Sequence, residues 1–190
     1  MSKPISHIAI FASGAGSNAL QIIRHFAHSD KAMISLIVCN KPGAGILQIA
    51  DKEHIPTLLL DKEPFFQGDA YVPELKKKGI DLIVLAGFLW KIPPALIRAY
   101  PDRIINIHPA LLPNYGGKGM YGRHVHQAVI DHKEKESGIS IHFVDEHYDH
   151  GSVIFQTSCP VMPDDTPETL AKRVQALEHA HFPKVIEGLL

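Results

Sequence analysis

The chain has 190 residues, of which 45% are hydrophobic and 21% charged, proportions typical of a folded globular protein. This length favours one domain with a sizeable core, so we predict a single domain over residues 1–190. The 19 basic and 20 acidic residues nearly cancel, to a formal charge of −1. That balance argues against a surface built for nucleic acid or for an anionic membrane.

The amino terminus and the two cysteines indicate the cellular compartment. The amino terminus has no signal-peptide pattern. The longest apolar stretch, Leu82 to Trp90, is far shorter than the ~20 residues that a membrane-spanning helix needs. Cys39 and Cys159 belong to no CxxC pair, which is typical of buried thiols in a reducing compartment. We therefore predict a cytoplasmic protein.

Hydrophobic periodicity predicts strands and helices that alternate along the chain. The predicted strands are 6–11, 34–39, 57–60, 82–86, 104–108, 138–144 and 153–158. The predicted helices are 18–27, 46–53, 71–78, 93–100, 123–132 and one that starts at Thr166. The fold class is therefore α/β: a doubly wound, mostly parallel sheet with helices on both faces, and an antiparallel strand pair near the C-terminal part.

A polar pair lies at the end of the predicted strand 104–108. Alternation along a strand places Asn106 and His108 on one face, and Pro109 ends the strand because it cannot donate to the sheet. Ligands bind at this edge of an open α/β sheet. An amide and an imidazole there can donate hydrogen bonds to an oxygen that becomes negative during acyl transfer. The alternative is a polar pair that only caps the strand.

A glycine-rich turn joins the first strand to the first helix. The pattern G-x-G-x-x-A from Gly14 matches a loose dinucleotide fingerprint, whose glycines let backbone N–H groups approach a phosphate. The second strand ends without the acidic residue that a dinucleotide's ribose needs. Ser17 and Asn18 add hydrogen-bonding side chains, so the turn favours a phosphate monoester. A plain strand-to-helix turn with Asn18 as N-cap is the alternative.

An acidic, histidine-rich turn lies between the last two predicted strands, at residues 145–150. Asp149 precedes His150-Gly151, a turn that can return its carboxylate to the edge of the sheet. A carboxylate beside a histidine can hold it charged and pass protons through water. Asp145 and Glu146 are interpreted as rim charges, and simple solvation of all three carboxylates is the alternative.

The chain is rich in histidine, with 13 in all, which raises the question of a metal. Three pairs are close in sequence: His124 and His126, His147 and His150, and His179 and His181. Zinc sites need three or four ligands, but no cysteine lies near these pairs and no HExxH motif occurs. We therefore predict no catalytic metal.

In their chain order, these motifs resemble the phosphoribosylglycinamide formyltransferase family over essentially the whole chain. The turn 14–18 resembles the family's phosphate loop, and residues 85–89 resemble its folate-side strand end. The string Asn-x-His-Pro-x-Leu-Leu-Pro at 106–113 resembles the formyltransferase signature. Asp149-x-Gly151 resembles the loop that carries the catalytic aspartate.

The resemblance implies that the amine of glycinamide ribonucleotide attacks the formyl carbon of the co-substrate 10-formyltetrahydrofolate, a step of de novo purine biosynthesis. It assigns the oxyanion to Asn106 and protonated His108, and it assigns support of the imidazolium and water-mediated proton transfer to Asp149. It assigns the ribonucleotide and its phosphate to Gly16, Ser17, Asn18, Gln175 and Glu178. It assigns the pterin slot to Phe88, Leu89, Trp90, Ile92 and Val144.

Two segments depart from the family pattern. Trp90-Lys91 stands where many members carry an arginine followed by an aliphatic residue, which changes the folate contacts. Residues 115–122 form a longer connection that is richer in glycine, so we expect a mobile loop that orders around ligand. Lys118 within it is a candidate contact for an anionic ligand.

Other functions stay open at this point. A formyltetrahydrofolate hydrolase (deformylase) would usually add an amino-terminal regulatory domain, and a methionyl-tRNA formyltransferase an RNA-binding domain; we expect neither here. A non-catalytic nucleotide-binding module is a further alternative, but it leaves the occurrence of Asn106 and His108 on one strand face, together with Asp149, as a coincidence. We predict small-molecule substrates, no nucleic-acid or membrane partner, and a monomer or homodimer.

Overall fold

The computed structural model describes residues 4–190. Its strands are β1 Ser6–Ala12, β2 Ala32–Cys39, β3 Thr57–Leu59, β4 Leu82–Leu85, β5 Ile104–His108, β6 Glu136–Phe143 and β7 Val153–Pro160. Its helices are α1 Ser17–Phe26, α2 Gly45–Lys52, α3 Lys62–Phe66, α4 Val72–Lys77, α5 Pro94–Ala99, α6 Arg123–Asp131 and α7 Pro167–Gly188.

All of these strands form a 7-stranded sheet in the order β3-β2-β1-β4-β5-β6-β7. Strands β1 to β5 pair in parallel. Strand β6 pairs antiparallel with both β5 and β7. The predicted fold class, including the antiparallel pairing near the C-terminal part, is confirmed.

Alternation along β1 explains why helices cover both faces of the sheet. Ile8 and Ile10 are fully buried in one apolar cluster, which α1, α2, α6 and α7 cover. Ala9 and Phe11 are buried in a second cluster on the opposite face, beneath α3, α4 and α5. A parallel strand with both faces covered reads as a continuous apolar run, which is the pattern of this strand.

The structure contains one helix that the sequence pattern does not predict. The short α3, Lys62–Phe66, contains a proline and spans little more than a turn, so it shows no helical periodicity. Its Phe65 is buried and packs against Phe88 and Trp90, with ring centroids 5.8 and 5.6 Å away. Tertiary packing therefore stabilises a helix that local propensity alone does not indicate.

A capping box begins the longest helix, α7. The Thr166 side chain accepts a hydrogen bond from the backbone N–H of Thr169 at 3.2 Å, and the Thr169 hydroxyl accepts one from the Thr166 N–H at 2.9 Å. We expect Thr166→Ala to lower the free energy of unfolding by about 1 kcal/mol, because one N–H of the first turn loses its acceptor. Denaturant unfolding measures this. Thr166→Ser keeps the oxygen and should unfold like wild type; equal losses in both variants would contradict the capping role.

The strand order also fixes where a ligand can bind. The chain leaves β1 toward β2 on one side, whereas β4 lies on the other side of β1. This reversal opens a crevice at the carboxyl ends of β1 and β4, the usual ligand position in such sheets. The glycine-rich turn after β1 and His108 at the end of β5 therefore lie beside the same crevice.

Candidate functional site

A cavity of about 840 Å³ occupies this crevice. Its wall contains most of the site residues that the sequence predicted: Asn18, Phe88, Leu89, Trp90, Ile92, Asn106, His108, Val144, Asp149, Gln175 and Glu178. Gly16 and Ser17 lie outside the wall, at the start of α1 next to Asn18. The fold thus brings together residues that are up to 160 positions apart along the chain, as in the contact of Asn18 with Glu178.

Asn106, His108 and Asp149 form a contiguous polar group. The Asn106 amide Nδ2 donates to Oδ1 of Asp149 at 3.3 Å. Nδ1 of His108 lies 3.5 Å from Oδ2 of Asp149. The Asp149 side chain is 11% exposed, so the carboxylate lies largely out of water. The turn after β6 therefore returns the Asp149 carboxylate to the edge of the sheet, a placement that the sequence left open.

His142 on β6 is a fourth member of this group that the sequence did not reveal. It is buried, pairs with Asn106 across the antiparallel strands, and accepts at Nε2 from the Asn106 amide at 3.1 Å. Its Nδ1 donates to the Phe143 carbonyl oxygen at 2.7 Å, so Nε2 accepts from Asn106 in the neutral ring and carries a proton that faces Asp149 only in the charged ring. Its Nε2 also lies 3.5 Å from Asp149. Only the pairing register of β5 and β6, which places His142 opposite Asn106, identifies this residue as part of the site.

Both ring nitrogens of His108 face acceptors. Nε2 donates to the Tyr115 carbonyl oxygen at 2.7 Å, and Nδ1 faces the Asp149 carboxylate. Burial lowers the pKa of His108, although the Asp149 charge and the Tyr115 carbonyl act to raise it. Burial also opposes ionisation of Asp149, but the contacts with His142, His108 and the Gly117 N–H hold its pKa below the ordinary value. Burial therefore favours neutral His108, and the predicted protonation of His108 stays a prediction.

These buried histidines make stability depend on pH. His108 and His126 are 3% and 5% exposed, and burial lowers the pKa of both. Below pH ~6.5 the unfolded chain binds protons that the folded chain does not, so the free energy of unfolding falls as pH drops, by at most about 1.4 kcal/mol per unit for each histidine. Denaturant unfolding at several pH values checks the slope.

His126→Gln provides the control for this slope, because it removes one titrating group. We expect its stability to fall less steeply between pH 6.5 and 5 than that of wild type. Glu178 acts in the opposite direction, since burial raises its pKa against the effect of the Asn18 amide. The informative quantity is therefore the difference between wild type and His126→Gln in how steeply stability falls with pH. Equal slopes in the two proteins would contradict the lowered pKa of His126.

The start of α1 forms the other end of the cavity. Gly16 has φ of +81° and is the N-cap, so the alternative of Asn18 as N-cap is wrong. A Cβ at Gly16 would lie 2.7 Å from Cδ1 of Ile46, which explains the glycine. The first N–H groups of a helix have no intrahelical partner and favour an anion.

Two hydrogen bonds connect α1 to α7 beside this end. Asn18 Nδ2 donates to Oε2 of Glu178 at 2.8 Å, and Gln175 Nε2 donates to Oγ of Ser17 at 3.1 Å. The Oδ1 atom of Asn18 is buried without a protein partner. Lys41, which the sequence did not single out, and Lys118 also line the cavity. The arrangement supplies donors and positive charge for an anionic ligand.

The predicted pterin slot is the apolar side of the cavity, and its residues differ in exposure. Phe88 and Ile92 are 8% and 3% exposed, whereas Leu89 is 52% exposed. The Leu89 N–H donates to Oγ of Ser13 at 3.0 Å, which holds the segment after β4 against the turn after β1. Trp90 packs against Phe66 with ring centroids 5.4 Å apart. Trp90 therefore gives the wall an aromatic extension towards α3.

The glycine-rich loop 115–122 contacts the polar group directly. Its Tyr115 carbonyl accepts from His108, and its Gly117 N–H donates to Oδ2 of Asp149 at 3.0 Å. Gly117 has φ of +99°, which favours glycine. A ligand that accepts a hydrogen bond from His108 must replace the Tyr115 carbonyl oxygen. Movement of this loop around ligand stays a prediction, and the hydrogen bond from His108 to Tyr115 is the contact that would break.

Among residues 4–190, one histidine pair joins a third potential metal ligand. His147 and His150 lie near Asp145, with one ligand atom of each within 4.8 Å of the others. The cluster does not include Asn106, His108 or Asp149, although Asp145 and His147 line the same cavity. The prediction that catalysis needs no metal stays a prediction.

The chain resembles known proteins in family, sequence and structure. The formyl transferase family model matches residues 6–186. The chloroplastic phosphoribosylglycinamide formyltransferase of Arabidopsis thaliana is 43% identical over 96% of this chain, which spans 64% of that protein's length. The phosphoribosylglycinamide formyltransferase of Bacillus subtilis is 36% identical, with 96% of this chain and 93% of that protein covered.

A solved structure agrees with these matches. Glycinamide ribonucleotide transformylase 1 from Geobacillus kaustophilus superposes with a TM-score of 0.89 and 34% identity, covering 98% of this chain and 99% of that one. No helix in the described part of the chain is both long and apolar enough to cross a membrane. The matches in sequence and fold extend over nearly the whole chain, and it belongs to the formyl transferase family.

Proposed function

We propose that this protein transfers the formyl group of 10-formyltetrahydrofolate to the amine of glycinamide ribonucleotide. The family implies a folate-derived donor, and the relatives are phosphoribosylglycinamide formyltransferases. The observation that carries the proposal is the contact of Asn106, His108 and Asp149 within a cavity that has a polar end and an apolar side. The products are formylglycinamide ribonucleotide and tetrahydrofolate.

The polar group has the chemistry that this transfer needs. The amine nitrogen forms a bond to the formyl carbon, and the carbonyl oxygen becomes an oxyanion that Asn106 and protonated His108 stabilise. The bond from the formyl carbon to the folate nitrogen then breaks. The proton that the amine loses passes through water at Asp149 to the departing nitrogen.

Both oxyanion donors have protein acceptors in this structure. Asn106 donates to His142 and Asp149, and His108 donates to the Tyr115 carbonyl. Substrate oxygen must take the place of these acceptors. Catalytic hydrogen bonds commonly reach their final geometry only in the complex with substrate.

The two ends of the cavity suggest how the substrates are arranged. We propose that the ribonucleotide phosphate binds at Gly16, Ser17 and Asn18, where the helix N–H groups lie, and that Gln175 and Glu178 contact the rest of the ribonucleotide. The pterin would lie against the apolar side formed by Phe88, Leu89, Trp90, Ile92 and Val144. The formyl carbon would then meet the amine beside Asn106 and His108.

Several broader predictions belong to this proposal. Both core clusters pack on one sheet, which supports a single domain over residues 1–190. Both cysteines are buried and free, which is compatible with the cytoplasm. We keep the predictions of small-molecule substrates, no nucleic-acid or membrane partner, and a monomer or homodimer.

The test is formyl transfer from 10-formyltetrahydrofolate, with and without glycinamide ribonucleotide, in wild type and His108→Ala. We expect release of tetrahydrofolate that requires the ribonucleotide. The variant should turn over about 10²- to 10³-fold more slowly, because one oxyanion donor is lost. Thermal unfolding of the variant serves as the control for folding.

The same assay separates the alternatives. Folate turnover without acceptor would indicate a deformylase. Binding of both ligands without turnover in wild type would indicate a nucleotide-binding module. Full activity of the His108→Ala variant would contradict the role of His108 while leaving the reaction itself established.

A further inference from the structure

The segment between β6 and β7 carries a second cluster of chemically active side chains, at the rim of the cavity, where Asp145 and His147 belong to its wall. Nδ1 of His150 lies 2.8 Å from Oδ2 of Asp145, and Nδ1 of His147 lies 3.9 Å from Oδ1 of the same residue. One ligand atom from each of the three falls within 4.8 Å of the others. The formyl transfer proposed above uses none of these side chains.

Two imidazoles and one carboxylate are a ligand set for a borderline divalent ion. Imidazole suits zinc, copper, nickel and iron, whereas magnesium and calcium prefer oxygen ligands. A tetrahedral zinc ion with bonds of ~2.0–2.2 Å places its ligands about 3.3 Å apart. The two distances from Asp145 oxygens to histidine Nδ1 atoms, 2.8 and 3.9 Å, lie on either side of this value. Small rotations of the three side chains would therefore bring their ligand atoms to tetrahedral spacing.

The side chains are free to make those rotations. His147 and His150 are 76% and 74% exposed, and Asp145 is 39% exposed. The backbone N–H of His147 donates to Oδ1 of Asp145 at 2.7 Å, which keeps the carboxylate turned towards the two rings. The exposed Glu146 adds a further negative charge to the segment. We propose that Asp145, His147 and His150 bind a zinc-like divalent ion, with the fourth coordination position open to water.

This ion would restrain the segment that carries Asp149. His147 and His150 flank Asp149, whose backbone has φ of +54°, in the left-handed region. The Asp149 carboxylate itself is turned to His108, His142 and the Gly117 N–H, and so is not a ligand. A metal held by the two flanking histidines would therefore limit the motion of the backbone at Asp149 without using its side chain.

Zinc binding to the untagged full-length protein tests the site, by calorimetric titration with Zn²⁺ and by the visible absorption of bound Co²⁺. We expect one Zn²⁺ ion per chain and no comparable binding of Mg²⁺. Zn²⁺ affinity should be at least ~10-fold weaker in both His147→Ala and His150→Ala, because loss of even a hydrogen-bond partner of a metal ligand lowers metal affinity by ~10–100-fold. His28→Ala removes an exposed histidine that follows α1 and lies outside the segment, so this variant should bind Zn²⁺ like wild type.

Backbone hydrogen exchange supplies an independent readout. We expect Zn²⁺ to slow exchange in residues 144–151 of wild type and to leave it unchanged in His150→Ala. Equal Zn²⁺ affinity in wild type and both segment variants would overturn the proposal and place the ion elsewhere, for example at the buried His108 and His142. Absence of Zn²⁺ binding to wild type would overturn it as well. Neither result depends on the transfer reaction.

Discussion

Replacement of Asp149 by Asn is expected to lower turnover by about 10³-fold, within the range typical of a lost acid–base group, while substrate KM values change little. The Asn106 amide and the Gly117 N–H each donate to one Asp149 oxygen, and His108 faces the same carboxylate. An amide keeps a similar shape but carries no charge to support the imidazolium and accepts no proton from water. Steady-state kinetics with both substrates measures the effect.

Glu146→Gln is the matched control for this variant. It makes the same change from carboxylate to amide in the same segment, at a side chain that is exposed. We expect its turnover to stay within a few-fold of wild type, because surface charges contribute little. If Asp149→Asn matched Glu146→Gln in turnover, then Asp149 would have no part in proton transfer.

Replacement of Gly151 by Ala is expected both to destabilise the protein and to abolish most of its activity. A Cβ on Gly151 would collide with the carbonyl oxygen of Phe143, a backbone atom that cannot rotate away. Overpacking of this kind costs about 1–3 kcal/mol. The strain would be relieved by a shift of the neighbouring segment, which would move Asp149 away from His108 and reduce turnover by ~10²-fold or more, as small misplacements do.

Denaturant unfolding and steady-state kinetics on the same preparation separate these two effects. Gly68→Ala is the control, since a Cβ at that exposed glycine would meet no atom within 4 Å. It should unfold and turn over like wild type. Wild-type turnover in a destabilised Gly151→Ala variant would show that the segment absorbs the collision without moving Asp149, contrary to the expectation.

The sequence predicted much of the fold because its signals are local. The strands of a sheet covered on both faces are apolar runs, and the turns between them carry glycine or proline, so their positions are visible without the structure. The same holds for Asn106 and His108, which share a strand face by alternation alone. Resemblance to a family then connected these residues to Asp149, which lies more than forty positions away.

The tertiary structure decided which residues contact each other through strand pairing and through loops that fold back to the sheet. His142 faces Asn106 because β6 pairs antiparallel with β5 in one particular register, and no local pattern encodes that pairing. The contact of His108 with the Tyr115 carbonyl depends on a loop whose glycines permit many paths. Local sequence therefore determined which groups stand at the edge of the sheet, whereas long-range packing determined their hydrogen-bond partners and the burial that shifts their pKa values.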